Sequence, residues 1–458
     1  MTLFNKLLNP KSIAVIGASK NKKKVGHGVL RNLARGSVFR YRSCEPFKGR
    51  IYPINPKAKR ILGLKCYKSV LDVKHPIDLA VIAIPAEFVC NVLEECGKKK
   101  IGVVIIVSAG FAELNKKGQE LQEKLLTIAK KYGMRLIGPN CLGVIRPTKN
   151  LNASFAPAMP PKGSIAFISQ SGALADSIID WAIEERYGFS SIISYGNRAD
   201  MDVCDFLRLL EKDKETKVIT LYIEGLKDGR DFINVAREVS RKKPIIALKA
   251  GKTPSGAKAI QSHTGSLAGD FQIYNAAFKQ ANIIAAESVE DMFDMAKALA
   301  HLPRCKNSIA IVTNGGGPGV LCADYCTQYG IKLAKLTKKT VRTLDKSGKM
   351  HHAYSRTNPL DIVGDALPDR YEVAINTLLK QKDIDGMIVI QTLQTMTNPV
   401  EDAKVVVRAR KKFQKKPIIC AYLGGRFGEV GRLYLEKHEV PDYNDVKKAA
   451  MAMSVLVR

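Results

Sequence analysis

The sequence predicts an α/β protein built from parallel sheets, and three observations carry that prediction. Short β-branched runs alternate with helical patterns from end to end, the runs are continuously apolar instead of alternating apolar and polar, and glycine turns follow several of them. A strand that is apolar on both faces has to be covered on both faces, which layered helices do and an open antiparallel sheet does not. At 458 residues the chain is also too long for one core and suits about three domains of ~150 residues.

Taken in order, the first unit holds SIAVI (12–16), RIYPI (50–54), DLAVIAI (78–84), VVIIV (103–107) and RLIG (135–138). Residues 145–163, IRPTKNLNASFAPAMPPKG, carry four prolines and little periodicity, so a boundary is read there. SIAFI (164–168), KVITLYI (217–223) and PIIALKA (244–250) follow, and the polar break HLPRCKN (301–307) precedes SIAIVT (308–313), GMIVIQ (386–391) and PIICAYL (417–423). The expected units are 1–146, 147–302 and 303–458. The second and third share one plan: SIAFISQSGALADS is matched by SIAIVTNGGGPGVLCADY, and KKPIIALKAGK (242–252) by KKPIICAYLGG (415–425). Strand, glycine turn and closing strand recur in the same order, as in a duplicated flavodoxin-like unit.

The formal net charge is +30, from 73 Lys and Arg against 43 Asp and Glu, which attracts nucleic acid, an anionic membrane or a polyanionic small molecule. The basic residues are spread along the whole chain, aromatics are only 7%, and no motif interleaves the two as a nucleic-acid platform does. Anionic small ligands are therefore favoured over nucleic acid. Ten cysteines stand without a CxxC pair, which speaks against a zinc or thioredoxin-type centre, and no metal site is expected. The N-terminal MTLFNKLLNPKS has no secretory apolar stretch, and no uncharged apolar run approaches the ~18 residues of a membrane span. A reduced, cytoplasmic protein that does not enter a membrane is expected.

Strand SIAVI runs into Gly17, Ala18, Ser19 and Lys20, then through a lysine-rich insertion to Val25 and Gly26, where a helical pattern begins. Glycines allow a tight turn and close backbone approach, and the helix start offers free N–H groups for a phosphate. The loop departs from GxGxxG, and taken alone it also reads as a turn that binds nothing. The second strand ends in Asn55, Pro56 and Lys57, where a nicotinamide-binding fold puts an acid on the ribose. A lysine there favours a nucleotide with an extra ribose phosphate, as in coenzyme A. The strand ends Ile84-Pro85-Ala86, Ser108-Ala109-Gly110 and Asn140-Cys141 open on the same sheet edge, where doubly wound folds bind ligands.

The segment AIQSHTGSLAGD (259–270) places His263 among small hydroxyl and glycine residues, Gly265 among them. That setting suits a group that reacts and then moves; the other reading is a loop histidine bonded to a backbone carbonyl. A histidine nucleophile needs a carboxylate to fix its tautomer and steady its cationic product, and Glu224, ending the run KVITLYIE, is placed for that role or is simply solvated. Ser169, Gln170, Ser171 and Gly172 follow SIAFI and open a helix with small residues that let a phosphate approach its N-terminus. They form no GxSxG elbow, so a serine hydrolase is disfavoured.

SIAVIGAS, RIYPINPK, DLAVIAIPA, VSAGFAE and GPNCLGV resemble the coenzyme A-binding domain of the nucleoside-diphosphate-forming acyl-CoA synthetase superfamily, and the likeness runs through all three units. The resemblance implies an N-terminal Rossmann-like CoA-binding domain followed by two flavodoxin-like domains. It implies a reversible conversion of acyl-CoA, phosphate and ADP to carboxylic acid, coenzyme A and ATP, through an acyl phosphate and a phosphohistidine at His263 partnered by Glu224. ADP, ATP and Mg2+ are then expected mainly on a separate ATP-grasp beta subunit, in an α2β2 assembly, with that subunit contributing a second phosphate-facing helix. In the third unit, NGGGPG (314–319), NPLDIVGD (358–365) and TLQTMT (392–397) resemble ligase-domain segments near the carboxylic acid, or are turns that only dock the unit. The rivals are a coenzyme A-binding acyltransferase or regulatory relative with an idle histidine, and a nicotinamide-dependent dehydrogenase, against which Lys57 speaks.

Overall fold

In the first sheet the strand Ser12–Ile16, buried at every position, pairs in parallel with Arg50–Ile54 on one side and Leu79–Ile82 on the other. Val103–Ile106 and Arg135–Ile137 complete five parallel strands. The chain reverses its direction of travel across the sheet at Ser12–Ile16, so the loops after residues 16, 54 and 82 open a crevice at one edge. The computed structural model describes residues 2–39, 44–264 and 270–457. Helix Val25–Arg35 buries Val29, Leu30 and Leu33, and helix Ala86–Lys98 buries Val89, Leu93 and Cys96, the spacing of an amphipathic stripe against a sheet.

The second sheet has seven strands in the order Ile284–Ala285, Ile245–Lys249, Val218–Ile223, Lys162–Ser169, Phe189–Ser194, Gly143–Arg146 and Leu151–Ser154. The last two run antiparallel. Here the structure departs from the sequence expectation in two ways. Phe189–Ser194, a central strand, was not expected, because three serines interrupt its apolar run; all three are fully buried. Ser190 shares a hydrogen bond of 2.7 Å with Thr216, and Ser194 Oγ accepts the Leu142 amide at 3.1 Å. The expected boundary at 146/147 also falls inside a hairpin, since Arg146 pairs with Leu151. Its prolines flank the strand instead of breaking it: Pro147 opens a short 3-10 turn, and the buried Arg146 makes a two-pronged bond to Asp213 at 2.8 and 3.0 Å.

Both sheets belong to one compact unit, Met1–Glu287; Ser288–Arg458 forms another. The second unit carries five parallel strands in the order Leu360–Asp361, Ile309–Thr313, Gly386–Gln391, Ile418–Tyr422 and Asp442–Tyr443. It begins ahead of the expected residue 303 because helix Val289–His301 is bound to this sheet's own elements. Lys297 Nζ donates to the Asp442 carbonyl at 2.9 Å, and the Tyr443 hydroxyl donates to the Asp294 carbonyl at 2.8 Å.

Candidate functional site

Two of the cavities in the unit Met1–Glu287 are lined by residues singled out in the sequence. The first, of about 530 Å³, lies in the crevice of the first sheet and is lined by Gly17, Asn55, Pro56, Lys57, Ile84 and Pro85, with Lys68 beside them. The loop there is shaped by contact. Gly17 has φ +88°, and a Cβ on it would stand 2.3 Å from the Ala83 carbonyl; a Cβ on Gly26 would stand 2.0 Å from the Gly17 carbonyl. Helix Val25–Arg35 therefore starts directly against the glycine turn, and no side chain caps it. Asn55 is spent on closure: its Nδ2 donates to the Ala18 carbonyl at 2.7 Å and its Oδ1 accepts the Lys57 amide at 2.8 Å. Ser19 Oγ accepts the Asn21 amide at 3.0 Å, while Lys20 and Val25 are exposed. Ser108 braces the wall from behind, its hydroxyl donating to the Ile84 carbonyl at 2.5 Å. Ala86 begins the neighbouring helix and approaches Gly110, whose φ is +104°, while Ala109 is exposed.

The second cavity, of about 620 Å³, lies between the edges of the two sheets and brings Asn140, Cys141, Gln170, Ser171, Gly172 and Glu224 together. Ser171 caps helix Gly172–Glu184, its Oγ accepting the Leu174 amide at 3.2 Å, so the helix start faces the cavity through small residues. Ser169 is fully buried, and its hydroxyl donates to the Ser171 carbonyl at 2.7 Å. Gln170 ties the site to the next strand: its Oε1 accepts the Glu224 and Gly225 amides, and its Nε2 donates to the Gly225 carbonyl at 2.9 Å. Glu224 thus sits, 7% exposed, at a strand end held from both sides, because the buried Lys249 Nζ donates to its carbonyl at 2.9 Å. Burial pushes the Lys249 ammonium down to about 8, against the pull of the Glu224 carboxylate.

Asn140 and Cys141, expected from the sequence beside the coenzyme, line this second cavity. The Cys141 thiol is pushed up to about 12 by burial and donates to the Ile106 carbonyl at 3.4 Å. Among the lining residues that were not singled out in the sequence are Glu113, Asp176, Asn197 and Arg198. Asn197 and Arg198 follow the serine-rich strand Phe189–Ser194, which the sequence pattern did not announce, so no strand end pointed to them. Although burial works against it, hydrogen bonds from Asn197 and from the Gly110 and Phe111 amides hold the Glu113 carboxyl below its usual range. His263 falls in the last turn of helix Pro254–Thr264. Its side chain, and Gly265 altogether, lie outside the described residues.

In the unit Ser288–Arg458 the segments singled out in the sequence converge at the ends of adjacent strands. Buried Asn314 accepts the Thr392 amide at 2.7 Å and donates to the Thr392 carbonyl at 2.9 Å. Asn358 holds Ile309 and Ile311 through backbone hydrogen bonds of 2.8 and 2.9 Å, and Asp361 Oδ1 accepts the Val363 amide at 2.9 Å. Among the described residues no group of three or more His, Cys, Asp or Glu is arranged to hold a metal ion, and no helix is long and apolar enough to cross a membrane.

Three family models match the chain in turn: a CoA binding domain over residues 11–147, a succinyl-CoA ligase-like flavodoxin domain over 162–299 and a ligase-CoA domain over 309–456. The chain is 42% identical over 460 residues to the acetate–CoA ligase (ADP-forming) II subunit alpha of Pyrococcus furiosus, covering 100% of this chain and 98% of that one. It is 40% identical over 455 residues to the acetate–CoA ligase (ADP-forming) I of Archaeoglobus fulgidus, covering 99% of this chain but 63% of that relative, so it spans just under two thirds of that protein. Among solved structures, the dinucleotide-forming acetyl-coenzyme A synthetase 1 of Ca. Korarchaeum cryptofilum in complex with phosphate and ADP is similar at a TM-score of 0.92 and 40% identity, covering 100% of this chain and 96% of that one.

Proposed function

The chain belongs to the ADP-forming acetate–CoA ligase family, whose alpha subunits it matches from end to end, and from that premise we propose that it is the acyl-transferring subunit of such a ligase. Acyl-CoA, phosphate and ADP are converted reversibly to a carboxylic acid, coenzyme A and ATP. Coenzyme A occupies the first cavity, with Lys57 and the uncapped helix start toward its phosphates. Phosphate lies at the start of helix Gly172–Glu184 and attacks the thioester carbon: the C–O bond forms, the C–S bond breaks, and the thiol leaves protonated. His263 then takes the phosphoryl group from the acyl phosphate, releasing the carboxylate, and Glu224 steadies the phospho-imidazole. The second phosphoryl transfer, to ADP with Mg2+, takes place on an ATP-grasp partner subunit in an α2β2 assembly, in the cytoplasm.

The observation that carries this reading is the second cavity, where a carboxylate, a small-residue helix start and the exit of the first sheet meet. The test is phosphorylation with labelled ATP, Mg2+ and the partner subunit. Wild type is expected to take up acid-labile, alkali-stable phosphate. His263→Ala is expected to take up none, and Glu224→Ala to lose about 100-fold or more in ATP formation, the scale of a transition-state charge contact. Equal labelling of wild type and His263→Ala would sink the phosphohistidine.

A further inference from the structure

Resting on the coenzyme and acyl-phosphate reading above, we propose that Asp176 is a specificity-determining residue and that the acyl groups this chain takes carry a hydroxyl that hydrogen-bonds to it. Helix Gly172–Glu184 faces the second cavity with Gly172 and Ala173 in its first turn and with Asp176 three residues after Ala173, on the same face. At about 1.5 Å per residue, Asp176 lies roughly 5 Å further along the helix than the phosphate end. Leu142, Phe155 and Ala173 contribute apolar surface to the same cavity. An acyl chain that starts at the helix N-terminus and runs along this face meets the carboxyl after about three or four carbons, at ~1.3 Å of advance per bond against that rise.

Asp176 has the marks of a group waiting for a partner. Its Oδ1 is sealed from solvent with no hydrogen bond, and among the described residues no cation pairs with it. Arg198, the cation lining the cavity, donates to the Gly225 carbonyl. Burial pushes the Asp176 carboxyl up to about 6. Glu113, across the cavity, differs in being held by the Gly110 amide at 2.6 Å and by Asn197. A purely hydrocarbon acyl group laid against Asp176 keeps it desolvated and unpartnered. A hydroxyl in the cavity that Asp176 lines offers its carboxyl a donor, and sites built to pair a substrate hydroxyl discriminate against the analogue without one.

The experiment is calorimetric titration of the full chain with coenzyme A, butyryl-CoA, 3-hydroxybutyryl-CoA and 4-hydroxybutyryl-CoA. One of the hydroxyacyl thioesters is expected to bind about tenfold or more tightly than butyryl-CoA, the size of a hydrogen bond to a charged group. Asp176→Ala is expected to bring that ratio within about twofold, and Asp176→Asn, which keeps the shape and one acceptor, to an intermediate value. The ratio is insensitive to a general loss of folded protein. Butyryl-CoA binding the wild type as tightly as both hydroxyacyl thioesters, or Asp176→Ala weakening all thioesters by one common factor, would overturn the assignment. Failure of coenzyme A itself to bind is a separate result, and it overturns the coenzyme reading beneath the proposal.

Discussion

Gln170 is the residue on which the candidate site turns. It was singled out in the sequence as a phosphate contact, one of a row of small and polar residues after a strand. Its amide is in fact committed to the backbone of Glu224 and Gly225 on the neighbouring strand. No spacing rule pairs residues 54 and 55 positions apart, so the motif was legible and the work of this side chain was not. The same holds for Asn55, which closes two loops on each other. Gln170→Leu strips the partner from two amides and is expected to cost about 1–3 kcal/mol locally and to lower ATP formation. Hydrogen exchange reads it directly: the Glu224 and Gly225 amides should exchange faster in the variant, and unchanged protection there means that something other than Gln170 holds the carboxylate in place.

At the level of elements, strands that are apolar throughout were readable, and those built on buried serine or on two residues were not. Phe189–Ser194 carries Ser190, Ser191 and Ser194 into a sheet, where Thr216 and the Leu142 amide satisfy the Ser190 and Ser194 hydroxyls, groups that look solvent-facing in one dimension. The glycine loop was readable for the opposite reason, because its requirement is local. Gly26 and Gly28 lie two residues apart in helix Val25–Arg35, yet a Cβ on Gly26 would stand 2.0 Å from the Gly17 carbonyl, while one on Gly28 would first meet Phe155 at 3.8 Å. Gly26→Ala is therefore expected to cost about 1–3 kcal/mol through overpacking and to weaken coenzyme A binding at least tenfold in a calorimetric titration. Gly28→Ala should bind as wild type does and gain up to about 1 kcal/mol from helix propensity. Equal behaviour of the two would remove the contact with Gly17 as the cause.

Across the whole molecule, the parallel-sheet architecture and its order were legible, and the attachment of helix Val289–His301 to the sheet that follows it was not, because it is made by long-range bonds no pattern announces. The unit Ser288–Arg458 also hides an acid that ties its stability to pH. Burial pushes the Asp402 carboxyl up to about 7, against a hydrogen bond from Gln391. Between pH ~4, where the unfolded chain releases that proton, and ~7, the folded state binds more protons, so stability falls as pH rises through the window and the full penalty stands above it. Asp402→Asn is expected to stabilise this unit by up to about 4 kcal/mol at pH 8 and by nothing at pH 4. Hydrogen exchange of strand Gly386–Gln391 checks it, and a gain equal at both pH values would exclude the carboxyl as the source. The hairpin at residues 143–154 has a bearing on how the protein behaves at high concentration. Its outer strand, Leu151–Ser154, is the rim of the seven-stranded sheet, and the Ser154 and Ala156 carbonyls there are both taken at 2.9 Å by Asn32, from the helix that rises out of the glycine loop. One asparagine amide thus plugs a seam along which two molecules would otherwise zip together, and a fragment cut after residue 147, losing both the plug and the inner strand, would bare that seam and clump.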